Sequence, residues 1–259
     1  LEKIHNKYYL RFSFTETVTL SDTPIAEQII CAVDLGINTD AVCSIMKADG
    51  TILARKFIDF ASDKDRMIHA MNRTRRKQSK YGPKSARGLW AYVKRLNEDR
   101  AKKISAAIVE FASQHSVDTI VMEHLDFKGC KKRGSKAQRL SMWNHGIIRE
   151  KVEQKAHLLG IRIATICAWK TSALAFDGSG SVTRDDNNHA LAKFTTGKQY
   201  NCDLSASYNI GARYFIRELL KSLPATEESR VKAKVPDAGR RTSCTLSTLR
   251  MLVKELSAA

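Results

Sequence analysis

The chain has 259 residues, 43% of them hydrophobic, and sets 44 Lys and Arg against 27 Asp and Glu for a formal charge of +17. Such a length suits one large domain or a domain with an appendage that can close a core, and the charge predicts a polyanionic partner. No Cys-x-x-Cys pair, signal-peptide pattern or apolar run of transmembrane length occurs, which argues against a secreted or membrane-spanning protein and predicts a reducing, cytoplasmic setting with no membrane partner. The first residue is not Met and the sequence opens in mid-pattern, so a fragment of a longer protein is expected.

Tyr8, Leu10, Phe12 and Phe14 alternate with Tyr9, Arg11, Ser13 and Thr15, a period of two that predicts a strand apart from the later ones. Residues 29–33 read as a buried strand, followed by strands at 41–46 and 52–57 joined through the hairpin signal Asp49-Gly50. A basic helix is predicted over 63–80, carrying Arg73, Arg75, Arg76, Lys77 and Lys80 and broken by Tyr81-Gly82-Pro83. A longer helix then runs to about residue 113, with Val93, Leu96, Ile104, Ile108 and Phe111 at helical spacing. The strand 119–122 is tipped by Glu123, and a basic, glycine-containing loop spans 128–136.

Another helix is predicted over 137–159, with Ile148, Val152, Ala156 and Leu159 on one face, closed by Gly160 and followed by a strand at 161–166. Residues 169–200 are polar and irregular, too long for an ordinary connection. Asp203 introduces a helix over 204–221; residues 222–243, with Pro224 and Pro236, read as linker. Leu246, Leu249, Val253 and Leu256 predict a short amphipathic helix at the end. Cys31 and Cys43, inside apolar strands, are expected to be buried free thiols.

Asp34 and Glu123 each end an apolar strand, and Asp203 heads a helix. Singly, the first two suit solvated strand ends, and Asp203 suits a helix N-cap stabilised by the helix dipole. Together they suggest more. Two unit charges about 4 Å apart repel by roughly 4 kcal/mol at an effective dielectric of 20, so three clustered carboxylates need a cation or a proton. An all-oxygen set suits Mg²⁺. A pair of such ions would activate a water on one side and stabilise a leaving 3′ oxygen on the other. In a basic chain that predicts cleavage of a phosphodiester backbone, with Arg73, Arg75, Arg76, Lys77 and Lys80 on the nucleic acid. Trp143 is expected in the core, and alternation turns His124 away from Glu123.

Asp34 in Val-Asp-Leu-Gly-Ile-Asn, Glu123 in Val-Met-Glu-His-Leu and Asp203 in Asp-Leu-Ser-Ala-Ser-Tyr-Asn-Ile stand 89 and 80 positions apart. They resemble the three RuvC motifs of the TnpB (OrfB) and type V CRISPR effector family of RNA-guided nucleases. Lys155-Ala156-His157-Leu158-Leu159-Gly160-Ile161, then Lys170-Thr171-Ser172, resembles the stretch leading into that family's zinc ribbon. The resemblance covers about residues 29–217. It implies an α/β, RNase H-like (RuvC) mixed sheet flanked by helices, with an inserted degenerate zinc-ribbon-like segment. Asp34, Glu123 and Asp203 would be the catalytic, metal-binding triad of an endodeoxyribonuclease using Mg²⁺, with Mn²⁺ able to substitute. Guide RNA and target DNA would be partners of the full-length parent, and single-stranded nucleic acid the partner of this fragment.

The implied organisation is a strand of a preceding wedge-type domain at 1–20, RuvC motifs I and II at 29–167 and the insertion at 168–200. Motif III follows at 201–221, and a linker with a C-terminal helix at 222–259. Two departures from the family pattern stand out. The insertion lacks the paired knuckle cysteines, so no structural zinc is expected. The usual Asn-Ala-Ala after the last Asp is Ser205-Ala206-Ser207. Two alternatives stay open: a nuclease-idle RNA-guided DNA binder, and a Holliday-junction resolvase or transposase on the same fold.

Overall fold

A computed structural model describes residues 2–4, 6–10, 12, 13, 15–125, 142–185, 188, 190–240 and 242–258. The expected basic loop at 128–136, with Cys130, and the first part of the helix expected over 137–159 lie outside the described residues. So do Arg11 and Phe14 of the opening alternation.

Five strands make the main sheet: β3 (Ile29–Asp34), β4 (Ala41–Lys47), β5 (Ile52–Ile58), β6 (Thr119–His124) and β7 (Arg162–Cys167). Their order is β5-β4-β3-β6-β7; β3, β4 and β5 pair antiparallel, and β6 and β7 run parallel to β3. A three-strand meander followed by two parallel strands on its far side is the RNase H-like arrangement. Central strands covered on both faces need apolar residues at every position, and Ile30, Cys31, Ala32 and Val33 are all fully buried.

Alternation sorts the strand residues into two cores. Cys31, Val33, Cys43, Ile45, Ile120 and Met122 face α2 (Arg87–Gln114) and α3 (His145–His157), meeting Ile104, Ile108, Ile148 and Val152. Ile30, Ala32, Val42, Met46 and Val121 face α4 (Cys202–Ser222) and α6 (Leu246–Ser257), meeting Leu204, Phe215, Leu249 and Leu252. Helix α4 is buried nearly all round from Leu204 to Ile216, as a helix covered on several sides must be. At Gly211 it approaches so closely that a Cβ would lie 3.0 Å from the Met46 thioether and 3.2 Å from the Ala32 Cβ.

Helix α1 (Ala61–Tyr81) ends at Gly82, with φ 85°. The Asp49-Gly50 turn joins β4 to β5. Cys31 and Cys43 are buried free thiols. No described helix is long and apolar enough to cross a membrane.

Four expectations need correction. The opening strand is replaced by a short hairpin of β1 (Glu2–Ile4) with β2 (Lys7–Tyr9), whose apolar Tyr8 and Tyr9 are exposed, as are Leu10 and Phe12 beyond it; alternation alone could not supply a sheet to cover them. Leu159 is exposed, because Gly160 turns the chain after α3 ends at His157. The insertion is not irregular throughout: β8 (Thr183–Arg184), β9 (Leu191–Lys193) and β10 (Gln199–Asn201) form an antiparallel ribbon. The expected linker contains α5 (Ala225–Lys234) and a 3-10 turn at Pro236–Gly239, anchored through buried Val231, Val235 and Ala238.

Candidate carboxylate centre

The centre begins with register. Val33 and Met122 are direct partners in the parallel pair β3–β6, so the next residues, Asp34 and Glu123, stand side by side where that ladder ends. Both continue the alternation that points Ile30, Ala32 and Val121 at α4, the helix that carries Asp203 in its first turn. His124 turns to the other side and is exposed, as alternation requires. The helix N-cap is Asn201, whose side-chain oxygen accepts from the Leu204 N–H at 2.8 Å. Asp203 is therefore free of the capping role that it was expected to fill on its own.

Burial raises the Asp34 carboxyl well above the ordinary carboxylate range, and the nearby charges of Glu123 and Asp203 raise it further, while Arg184 opposes them. Burial also raises Glu123, opposed by a hydrogen bond from Thr171 and by the charge of Arg213. Asp203 is raised by burial and opposed by Arg184 and by a hydrogen bond from Thr39. The charges of Glu123 and Asp203 thus both act on Asp34 at one end of the sheet, and each of the three residues is only partly buried.

Around them stands a shell of neutral and cationic groups. The Thr171 hydroxyl donates to Glu123 Oε1. Thr39 belongs to the turn after β3, where a Cβ on Gly36 would come within 2.4 Å of the Thr39 carbonyl oxygen, so only glycine fits the turn. That turn is anchored by Asp40, which accepts from the Phe60 N–H at 2.8 Å and is paired with the buried Arg100.

Arg184 is brought in by β8 and donates to Ser172 Oγ at 3.2 Å. Sequence reasoning gave Thr39, Thr171, Arg184 and Arg213 no role at the centre. Thr171 stands in a run marked only by resemblance, and Arg213 is the charged residue within the stretch Leu204–Ile216 of its helix, a signal of a buried hub. Nothing local distinguishes Arg184 from other basic residues of the insertion.

Three carboxylates at one end of a sheet are by chemistry a donor set for a hard divalent cation. As they stand, however, no three described His, Cys, Asp or Glu side chains are grouped closely enough to hold one ion. Glu123 and Asp203 instead accept from threonine hydroxyls. Arg73, Arg75, Arg76, Lys77 and Lys80 are all exposed on α1, whose buried residues are Met67 and Thr74. Trp169 is exposed, whereas Trp143 packs at the margin of the α2–α3 core.

The insertion carries no thiolate knuckle; its ribbon closes over a small core of Ala175, Ala192, Phe194 and Cys202 with Phe176, Val182 and Tyr200 around it. Phe176 sits edge-on to Phe194 at 5.6 Å and to Tyr208 of α4 at 5.3 Å, which seats the ribbon on the domain. Lys198 covers the Phe176 ring from 4.7 Å.

The sequence matches no family model and no curated protein. Its fold does match solved structures. A chain of the Cas12f1–sgRNA–target DNA complex aligns over 73% of this chain with TM-score 0.55 and 22% identity. A chain of the CRISPR–Cas12f ternary complex aligns over 75% with TM-score 0.50 and 17% identity, and one of the AacC2c1–sgRNA binary complex over 73% with TM-score 0.52 and 10% identity. The alignments cover 51%, 40% and 39% of those longer chains. At these identities the likeness is one of fold, and the chain has the RNase H-like architecture found within these type V effectors.

Proposed function

We propose that the chain is the nuclease domain of an RNA-guided DNA endonuclease, with Asp34, Glu123 and Asp203 as catalytic carboxylates that hold Mg²⁺ or Mn²⁺. The observation that carries the reading is geometric: Asp34 and Glu123 follow the register partners Val33 and Met122 on adjacent strands, on the face covered by the helix that carries Asp203 in its first turn, and the charges of Glu123 and Asp203 both act on Asp34. Bound divalent ions would supply Lewis-acid activation of water and stabilisation of a leaving 3′ oxygen.

The chain's own residues have separate tasks. Thr171 and Thr39 orient Glu123 and Asp203, and the Arg184 cation offsets negative charge beside Asp34 and Asp203. The exposed Arg73, Arg75, Arg76, Lys77 and Lys80 offer a face for single-stranded nucleic acid. Two of the neighbours are described as complexes with sgRNA, one of them also with target DNA; by that likeness the full-length parent takes a guide RNA and a DNA target. In this reading residues 1–20 end a guide-gripping domain, 29–167 and 201–221 are the nuclease core, 168–200 is a zinc-free substrate flap, and 222–259 closes the domain.

The test is a cleavage gel with the guide-loaded parent and its Asp34→Ala variant in Mg²⁺. The wild type should cut and leave 5′-phosphate ends, while the variant binds without cutting; equal cleavage in both lanes refutes the reading. A second reading, a guided binder with an idle nuclease, is favoured by the lack of a ready three-ligand group among the described residues. Binding without cleavage by the wild type, with no tight uptake of Mn²⁺, would select it.

A further inference from the structure

Among the polar side chains buried in α4 are Asn209, with no exposure, and Arg213, with 5%. They are one helical turn apart and so share a face. Each bonds to two backbone segments remote from each other in sequence. Asn209 Nδ2 donates to the Thr171 carbonyl at 3.0 Å and the Leu174 carbonyl at 2.9 Å, while its Oδ1 accepts from the Leu246 N–H at 3.3 Å. Arg213 Nη1 donates to the carbonyls of Cys167 at 2.9 Å and Trp169 at 2.8 Å. Its Nε and Nη2 donate to those of Cys244 at 3.2 Å and Thr242 at 3.0 Å.

A guanidinium buried on four carbonyls and an amide using both ends are costly unless every partner stays in place. The segment after β7 and the segment leading into α6 are therefore held as one unit. A third tie joins them directly, because the Ser247 N–H donates to the Phe176 carbonyl at 2.9 Å. The first segment presents Thr171 to Glu123 and Ser172 to Arg184.

We propose that Asn209 and Arg213 are positioning residues through which the C-terminal segment 242–247 sets the placement of Thr171, and with it Glu123, at the carboxylate centre. The tail is then a working part of the centre, although it follows Asp203 by about forty positions in sequence. This inference rests on the metal-binding reading of that centre.

The experiment uses the whole chain as wild type, Arg213→Lys and Asn209→Leu, with Asp34→Ala as the control that removes a ligand. Lysine keeps the charge but cannot fork to four carbonyls; leucine keeps the bulk of Asn209 and removes its bonds. Three quantities are read: thermal unfolding, amide hydrogen exchange and Mn²⁺ affinity.

In both variants the amides of 168–175 and 242–247 should speed up together, by about tenfold or more, while those of β3 and β6 keep their protection. Mn²⁺ affinity should fall about 10–100-fold. The proposal is overturned if only one segment loosens, or if both loosen and Mn²⁺ affinity is unchanged. Should a variant not fold, the other carries the same comparison, and failure of both to fold counts against a positioning role as distinct from a structural one. No Mn²⁺ binding by the wild type, or equal binding by Asp34→Ala, overturns the metal reading and the proposal with it; the coupled exchange tells that outcome from a failure of the network alone.

Discussion

Asp34 and Glu123 stand side by side at the end of the β3–β6 ladder because the residues before them, Val33 and Met122, are register partners in adjacent parallel strands. Register in a sheet with two buried faces is strongly specified, since a one-residue slip would turn every side chain to the wrong core. The two carboxylates are thus held together by the apolar residues behind them, against their own repulsion.

That repulsion should be visible in stability. Burial, and then Glu123 and Asp203, raise the folded Asp34 carboxyl above its unfolded value. A carboxyl so shifted contributes stability that is fully present below the unfolded value of about 3.9 and is lost as pH rises through the folded one. Asp34→Asn, neutral at every pH, should therefore melt above wild type at the upper end of that window in chelator, by about 2–4 °C for each kcal/mol relieved. Mn²⁺ should reverse the order, because only the wild type gains from binding. A variant that melts below wild type at every pH without cation would remove charge crowding from the account.

Thr171→Val keeps the shape of a side chain that is 3% exposed and deletes the hydroxyl that donates to Glu123. Loss of such an orienting bond typically costs 10–100-fold in metal affinity, and Mn²⁺ binding should weaken by about that factor. Calorimetric titration decides it; an unchanged affinity reduces Thr171 to a packing role.

Replacing Arg73, Arg75 and Arg76 with Ala should weaken single-strand binding in a salt-dependent way. Each phosphate contact adds about 0.7 to the slope of log affinity against log salt, so the triple variant should be shallower by about 2. An unchanged slope from 50 to 200 mM salt would return this helix face to plain solvation.

The ribbon should depend on its aromatic core and not on metal. Phe194 is 2% exposed and packs edge-on against Phe176, and truncating a buried Phe costs about 3–5 kcal/mol. Phe194→Ala should open residues 173–201 to protease while β3 and β6 keep their hydrogen-exchange protection. Elemental analysis should find no stoichiometric zinc in either protein; one zinc per chain would mean that ligands other than paired cysteines hold the insertion.

Much of the sheet was legible because its signals are local. The apolar runs ending at Asp34 and Glu123, the Asp49-Gly50 turn and the break at Gly82 each report their own backbone, and the structure has strands, turn and helix end there. The ribbon was not legible, since strands of two or three residues, as in β8, β9 and β10, are too short to show a period. Helix α5 escaped because its charged sequence has Val231 as its buried residue, leaving no apolar stripe to read.

By itself the sequence determined which segments could be buried strands, where three carboxylates stand relative to them, and that a polyanion would be drawn to the surface; these follow from periodicity and charge along one dimension. Only the tertiary structure decided that Asn201 and not Asp203 caps the helix, that Thr171 and Thr39 hold two of the carboxylates, and that Arg184 faces a centre 150 positions behind it at Asp34. It also decided that Arg213 binds carbonyls on both sides of the chain. Those relationships are made by side chains meeting across elements, and burial and charge distance exist only once the two cores have closed.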